Sequence, residues 1–242
     1  MTRDTEQAGE ASIDGLVAAI DAWAEGVRSD LEGIARQAST MHEAGSFGGR
    51  VIDEMAVRFE PQCLTVLVEH APSVDGVGLV WEVGVEAGSD TGMLWWRSES
   101  GTVARKHHVF NPESDSFYDY RNSLWFEAAL AADGLAVVGP YIDAWGTDDH
   151  TITASLRIMA NGACIGVAAA DMNVSVVTAT LASILRPWPQ LVLVDNEDRV
   201  VASNFALLSA GLRVAPFLER TSRRVDSRFA TTVDGWQLLR LV

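Results

Sequence analysis

The sequence predicts an α+β fold, in which a long N-terminal helix precedes antiparallel strands and a smaller second α+β part. Apolar residues recur every seven positions from Ile13 to Ile34, which is typical of one face of a helix. Later apolar segments are short, and turn residues separate them, which is typical of strands. The pair Asn161 and Gly162 is a strong two-residue hairpin signal. Helices and antiparallel strands in mixed order favour α+β.

Length and charge limit the classes of partner. The chain has 242 residues, 48% of them hydrophobic, which suits one large domain or one domain with a small companion. Its 18 basic and 33 acidic residues give a net charge of −15. Such a surface repels phosphate backbones and anionic lipids, so we expect neither a nucleic-acid nor a membrane partner.

Cysteine content and apolar runs bear on the compartment. Cys63 and Cys164 have no metal-ligand spacing, so we expect two buried thiols, although a disulfide stays open. The N-terminus lacks the basic and apolar regions of a signal peptide, and no run of about 18 apolar residues exists. We therefore expect a cytoplasmic chain, and its start at Met1 favours a full-length one.

The first half of the chain alternates helices and strands. The first helix is expected over residues 11–40, with Ser12 as its N-cap and an end near Ala44 and Gly45. Its apolar stripe is buried either on its own domain or on a second copy, so we expect a homodimer. Further elements are a helix or the end of a helix at 62–71, helices at 123–132 and 174–185, and strands at 76–85, 93–96, 102–109, 136–142, 151–159 and 164–171.

A Pro-Trp-Pro stretch at residues 187–189 marks the best internal boundary. After it we expect a hairpin over residues 190–202, a short helix at 205–212 and closing strands at 228–232 and 236–242. The predicted organisation is therefore a helix over residues 1–44, a larger domain over 45–186 and a small C-terminal part over 187–242.

The segment from Phe117 to Asp171 carries most of the functional information. It begins with Tyr118, which stands a few residues before Trp125 and Phe126. Next come the end of a predicted strand, Gly139-Pro140-Tyr141-Ile142-Asp143, and the start of another, Thr151-Ile152-Thr153-Ala154-Ser155. The last piece is Gly166-Val167, which is followed four residues later by Asp171. This order and spacing resemble the Cache family of extracytoplasmic sensor domains in their double form, in which a long helix precedes two PAS-like sheets. The resemblance implies a PAS-like ligand-binding domain over residues 45–186.

The resemblance also implies roles for single residues. In amino-acid-binding members an Arg, a Trp and aromatic neighbours grip a carboxylate, while a Tyr and an Asp hold the ammonium. Trp125, Phe126, Tyr141 and Asp171 stand at the matching positions. Ser123 stands where that Arg is expected, and Phe126 stands where Tyr is usual.

The residues alone leave alternatives open. Aromatic walls with a few convergent polar groups suit a small polar ligand, so Trp125, Phe126 and Tyr141 line a pocket or form helix and strand core. Asp171 follows an apolar run, where it either meets a ligand ammonium or caps the next helix. The neighbouring Tyr118 and Asp143 complete this part of the candidate site.

Another cation has to replace the missing Arg if an acid group binds. Arg121 either swings into the site or forms a surface ion pair. In the strand at 102–109, alternation puts Arg105 and His107 on one face and Lys106 and His108 on the other. One pair faces the site, and we place Arg105 and His107 among the candidates. We expect no metal and no cofactor.

The sequence therefore predicts a non-enzymatic sensor domain. Its ligand is a small polar metabolite: an amine, an amino-acid-like compound or a small carboxylate. The chain has no Gly-x-Ser-x-Gly, phosphate loop or dinucleotide fingerprint. A dimeric scaffold without a small ligand is the alternative, and an enzyme is a less favoured one. No output segment is visible, so the signalling partner is unknown.

Overall fold

The computed structural model describes residues 3–83, 90–99, 101–109, 113–114, 118–142 and 150–242. The chain divides into two compact units. The larger unit is Val27–Val174, and the smaller one joins Met1–Gly26 to Ser175–Val242. The mixture of an N-terminal helix with antiparallel sheets confirms the predicted α+β class. The predicted division into residues 1–44, 45–186 and 187–242 stays a prediction.

Five α-helices lie in the described part of the chain: α1 (Arg3–Glu43), α2 (Ile52–Glu69), α3 (Leu124–Ala131), α4 (Val174–Leu185) and α5 (Val214–Thr221). Helix α1 begins well before Ser12, so the expected N-cap at that residue is wrong. The apolar stripe of α1 is buried as its spacing predicts, with Ile20, Leu31 and Ile34 fully inaccessible. A single chain already buries this stripe, so its burial does not require a second copy. The homodimer stays a prediction.

The larger unit is built on a six-stranded antiparallel sheet. Its strands are β1 (Val74–Val83), β2 (Asp90–Glu99), β3 (Thr102–Lys106), β4 (Ala136–Ile142), β5 (His150–Ala160) and β6 (Ala163–Asn173), in the order β3-β2-β1-β6-β5-β4. Asn161 and Gly162 join β5 to β6 with φ of 51° and 79°. Two successive positive φ values are those of a type I′ turn, which confirms the hairpin predicted from Asn-Gly.

Helices cover the two faces of this sheet. Helix α2 contacts β1 and β2, whereas α3 contacts β4, β5 and β6. The face covered by α2 carries the fully buried Trp81 and Trp96. The Phe47 ring meets the Trp81 ring edge-on, with 5.7 Å between the ring centroids. The face covered by α3 carries Trp95 and Met93, which belong to one buried cluster with residues of α3. We call the α3-covered face the site face.

The smaller unit has a four-stranded antiparallel sheet. Its strands are β7 (Leu191–Val194), β8 (Val200–Ser203), β9 (Val225–Ala230) and β10 (Gln237–Leu241), in the order β8-β7-β10-β9. The N-terminal half of α1 belongs to this unit, where Trp23 stacks on Trp236 with ring centroids 5.8 Å apart. The Asp21 carboxylate accepts a hydrogen bond from the Thr232 amide.

The short helix expected over residues 205–212 is wrong. That segment forms turns, in which the Leu208 amide donates to the Phe205 carbonyl and Gly211 adopts φ of 85°. A left-handed residue ends a helix, so the segment cannot continue as one. The helix of this region is α5, where Pro216 stands in the first turn. Proline is tolerated there because the first turn's amides have no intrahelical acceptor.

Two further observations concern the chain's chemistry. Both cysteines are free, but only Cys63 is buried and Cys164 is exposed, so the expectation of two buried thiols is wrong for Cys164. Burial, followed by the negative charge of Glu60, raises the pKa of the Cys63 thiol far above its usual value. None of the described helices is both long and apolar enough to cross a membrane.

Candidate functional site

The sheet register aligns polar side chains on the site face. Directly paired residues of neighbouring antiparallel strands point to the same face. Gly76 pairs with Arg97 on one side and with Asp171 on the other, and Asp171 pairs with Thr153. The residues Arg97, Gly76, Asp171 and Thr153 therefore form one row across four strands, which we call the charged row.

A second row lies next to it on the same face. Trp95 pairs with Lys106 and with Gly78, Gly78 pairs with Ala169, and Ala169 pairs with Ser155. The Ser155 hydroxyl donates to the Trp125 carbonyl at 2.9 Å, which ties the first turn of α3 to the sheet. The small residues in this row leave room for the aromatic side chains of α3 above them.

An aromatic cluster covers the site face. Phe126 meets Trp125 edge-on at 5.9 Å and Tyr120 at 5.3 Å, and Tyr118 lies 6.5 Å from Tyr120 between ring centroids. All four rings are buried, and the half-buried Tyr141 packs against the cluster. Such edge-to-face pairs are favoured by the aromatic quadrupole and hold the rings in fixed orientations.

A chain of hydroxyl groups leads from this cluster to a carboxylate. The Thr153 hydroxyl donates to Asp171 Oδ1 at 2.7 Å, and the Tyr141 hydroxyl lies 2.6 Å from Thr153 Oγ1. Because the single Thr153 proton goes to Asp171, Tyr141 must be the donor to Thr153. Asp171 is the acidic residue at the end of this chain of hydroxyl groups. The arrangement therefore suits a ligand that donates hydrogen bonds, above all a cation.

Two glycines of β1 give Trp95 its position. A Cβ at Gly76 would lie 2.7 Å from Trp95 Nε1, and one at Gly78 would lie 2.8 Å from Trp95 Cε3. The indole thus lies directly on the β1 backbone, which only glycine allows. Its N–H, a hydrogen-bond donor, stands over the Gly76 position of the charged row.

The cations divide between the two faces of the sheet. Arg105 pairs with Trp96, so it lies on the face opposite to the site, where its guanidinium is 3.8 Å from the exposed Asp53 carboxylate. His107 is exposed beyond the end of β3. The structure therefore does not bring Arg105 and His107 to the aromatic cluster. The alternation was predicted, but the pair on the site face is the other one, Lys106 and His108.

His108 lies against the cluster as a neutral ring. Its imidazole is 5.1 Å from the Tyr118 ring, between centroids. Burial, followed by the positive charges of Lys106 and His107, lowers the pKa of His108 to about 4. At neutral pH it therefore adds aromatic surface and no charge.

Of the remaining predicted site residues, Arg121 is at the surface. Its Nε donates to the Asp119 carboxylate at 3.2 Å, so the ion-pair alternative is the one the structure shows. Asp143 lies outside the described residues. The structure brings Tyr118, Trp125, Phe126, Tyr141 and Asp171 together on the site face, and their ligand contacts stay a prediction.

Sequence reasoning missed Arg97. Its side chain is 17% exposed and lies on the site face beside Trp95. The available signal was its spacing two residues after Trp95 in a strand, since residues i and i+2 share a face.

Comparison with known proteins agrees with this geometry. Residues 61–179 match the first PDC sensor domain of methyl-accepting chemotaxis protein-like proteins. The matched range contains α3 and all six strands of the larger sheet. This agrees with the sensor-domain resemblance of the sequence, while the double Cache form stays a prediction.

Solved chemoreceptor domains share the fold over nearly the whole chain. The ligand-binding domain of the amino-acid chemoreceptor PctC of Pseudomonas aeruginosa PAO1, in complex with GABA, is 22% identical with a TM-score of 0.56, over 94% of each chain. The sensory domain of the Campylobacter jejuni chemoreceptor Tlp3 with isoleucine bound is 14% identical with a TM-score of 0.59, over 99% of this chain and 93% of that one. Its ligand-binding domain in complex with L-valine has a TM-score of 0.61 at 14% identity, over 99% of this chain and 93% of that one.

Proposed function

We propose that this chain is the ligand-binding part of a small-molecule sensor, and that its ligand carries an ammonium group bound at Asp171. The observation that supports the proposal is the chain of hydroxyl groups from Tyr141 through Thr153 to Asp171 Oδ1. It holds the carboxylate in one orientation, and a carboxylate in a fixed orientation is a suitable partner for an ammonium group.

The surroundings favour a small organic cation over a metal ion. Among the described residues, the cluster around Trp125, Phe126 and Tyr141 provides apolar and aromatic surface next to one carboxylate, that of Asp171. Hard metal ions need several oxygen ligands, whereas an alkylammonium gains from aromatic faces and apolar walls. The ligand expected here therefore combines an ammonium with an aliphatic part.

The ligands of similar proteins point in the same direction. PctC is a chemoreceptor for amino acids and was solved with GABA, and Tlp3 was solved with isoleucine and L-valine. Each of these compounds carries an ammonium group. We propose that the ligand of this chain belongs to the amines and amino acids.

Binding of simple amines and amino acids by titration calorimetry tests the proposal. Isobutylamine, propylamine, L-valine and GABA are titrated into the unchanged protein and into Asp171→Asn. We expect at least one of the four to bind, with affinity lowered at least about tenfold in the variant, because a charge-assisted hydrogen bond is lost.

Asp133→Asn is the matched control, since it removes the same charge from an exposed side chain that pairs with Arg157. It should bind like the unchanged protein. No binding of any of the four, or equal affinity in Asp171→Asn, would contradict the proposal. The first of these results would favour a scaffold without a small ligand.

A further inference from the structure

We infer that a cavity between α1 and the C-terminal end of β5 is a binding site of its own, and that its ligand is a small organic dicarboxylate. The cavity has a volume of about 420 Å³, which is within the range of small-molecule sites. Both of its walls belong to the larger unit. The inference goes beyond the proposed function, because it concerns neither Asp171 nor the aromatic cluster.

One wall of the cavity is a single face of α1. Its residues recur every three or four positions, which places them on one side of a helix. They are Glu32, Ala35, Arg36, Ser39 and Thr40. The Arg36 guanidinium is 69% exposed and lies 3.4 Å from the Glu32 carboxylate, one turn earlier in the helix. A solvated ion pair at that distance is weak, so Arg36 is able to bind another anion.

The other wall is the end of β5. The residues that line the cavity from this side are Leu156, Arg157 and Met159. Adjacent residues of a strand point to opposite faces, so Leu156 and Arg157 line one cavity only because it lies at the edge of the sheet. That edge is open because β4 pairs with β5 only as far as Ser155, and in the described part of the chain no strand covers this side of residues 156–160.

Two guanidiniums therefore reach one cavity from its two walls. The Arg157 guanidinium lies 3.3 Å from the Asp133 carboxylate, which is fully exposed, and such a pair is weak because water competes for both charges. Among the described lining residues, Arg36 and Arg157 outnumber the one carboxylate, that of Glu32. The whole chain carries a net charge of −15, so it attracts an anion only where cations are concentrated locally.

The other lining residues favour an organic anion over an inorganic one. Ala35, Leu156 and Met159 add apolar surface to the same cavity. A carboxylate offers a guanidinium two coplanar oxygens, which is the partner that a guanidinium binds best. A molecule with two carboxylates joined by methylene groups therefore matches both arginines, and its carbon chain covers apolar surface that an inorganic ion leaves in contact with water.

The cavity is separate from the candidate site described above. Thr153 of that site and Arg157 are four residues apart on one strand, which corresponds to about 13 Å. The buried Ser155 lies between them, where its hydroxyl donates to the Trp125 carbonyl. Binding in the cavity and binding at Asp171 can therefore be measured independently.

A titration followed by NMR tests the inference, because the side-chain Nε–H signals of arginine report on this site directly. Glutarate is added to the isotope-labelled, unchanged protein at constant ionic strength. Butyrate, which has one carboxylate, and sulfate, which has no carbon chain, are added in separate titrations. Glutarate should shift the Arg36 and Arg157 signals saturably, with a Kd in the millimolar range or tighter. Butyrate and sulfate should each bind at least about fivefold more weakly, because each lacks one part of the match.

Substitutions separate the cavity from general effects of charge. Arg36→Gln and Arg157→Gln should each weaken glutarate binding at least about fivefold, and Glu32→Gln should tighten it at least about twofold, because it removes a negative charge from the wall. The matched controls are Arg58→Gln and Glu54→Gln, since these residues form an ion pair of the same kind, four residues apart, on α2. Each control should change the affinity by less than about 1.5-fold, because exposed charges outside the cavity are screened by salt.

Thermal denaturation confirms that each variant is folded, and the titrations of the unchanged protein do not depend on any variant. The inference is overturned if glutarate shifts neither guanidinium signal, or if butyrate or sulfate binds as tightly as glutarate. It is also overturned if Arg58→Gln weakens binding as much as Arg36→Gln does. None of these results bears on the ammonium proposed at Asp171, which the titrations with amines and amino acids test separately.

Discussion

Replacing Thr153 by valine should destabilise the folded protein, because one buried hydroxyl connects two polar groups of the site. Thr153 is fully buried. Its hydroxyl donates to Asp171 Oδ1 at 2.7 Å and accepts from Tyr141 at 2.6 Å. Valine has nearly the same shape, so the substitution removes the hydrogen bonds without opening a large cavity.

The size of the effect follows from the two bonds. A hydrogen bond to a charged group contributes about 1.5–3 kcal/mol and a neutral one about 0.5–1.5 kcal/mol. Asp171 and Tyr141 are half-buried, so water restores part of both bonds in the variant. We therefore expect the free energy of unfolding to fall by about 2 kcal/mol.

Urea denaturation of the ligand-free protein measures this change. The midpoint should move to lower urea with an unchanged slope. Thr153→Ser is the control, since it keeps the hydroxyl and removes one methyl group at a cost of about 1 kcal/mol. If Thr153→Val is as stable as the unchanged protein, or more stable than Thr153→Ser, the hydroxyl does not connect the two groups as described.

Two more predictions concern stability. The pKa of His108 is about 4 in the folded protein and 6.5 in a free side chain, so the unfolded chain binds the proton more tightly and stability should fall by up to about 3 kcal/mol as pH drops from 6.5 to 4. His108→Gln should flatten this part of the pH profile and the exposed His107→Gln should not, and equal profiles would refute the buried neutral ring. Gly78→Ala should cost more than about 2 kcal/mol, since its Cβ would lie 2.0 Å from a backbone oxygen of β2. Gly134→Ala, with open space at its Cβ, should leave the stability nearly unchanged. Thermal denaturation of the two glycine variants beside the unchanged protein measures both effects.

Much of the fold could be predicted from local patterns. The heptad spacing of apolar residues predicted α1, because a helix needs one continuous apolar face to be buried. Asn161 and Gly162 predicted their hairpin, since both tolerate the positive φ that the turn requires. Helix α4 was predicted with the bounds that it has, residues 174–185, because a Pro-Trp-Pro stretch ends it.

Short elements without a strong local signal were the ones missed. The segment at 205–212 is mostly apolar but too short to show a helical period. Helix α5 contains a proline, which argues against a helix unless it is known to stand in the first turn. The family-like segment gave Trp125, Tyr141 and Asp171 as site residues. It also contains their partner Thr153, but only as part of a strand and with no role of its own, since a threonine in a strand is ordinary.

The sequence by itself determined which residues share a face within each strand, because side chains alternate along any strand. It could not determine which of the two faces meets the aromatic cluster. That depended on the pairing of β3 with β2, which puts Lys106 beside Trp95 and Arg105 beside Trp96. The alignment of Arg97 with Asp171 across Gly76 likewise came only from tertiary structure. Arg97 and Asp171 are 74 positions apart in the chain, and the strand register alone places them in one row. No local sequence pattern encodes the pairing of strands so distant in sequence.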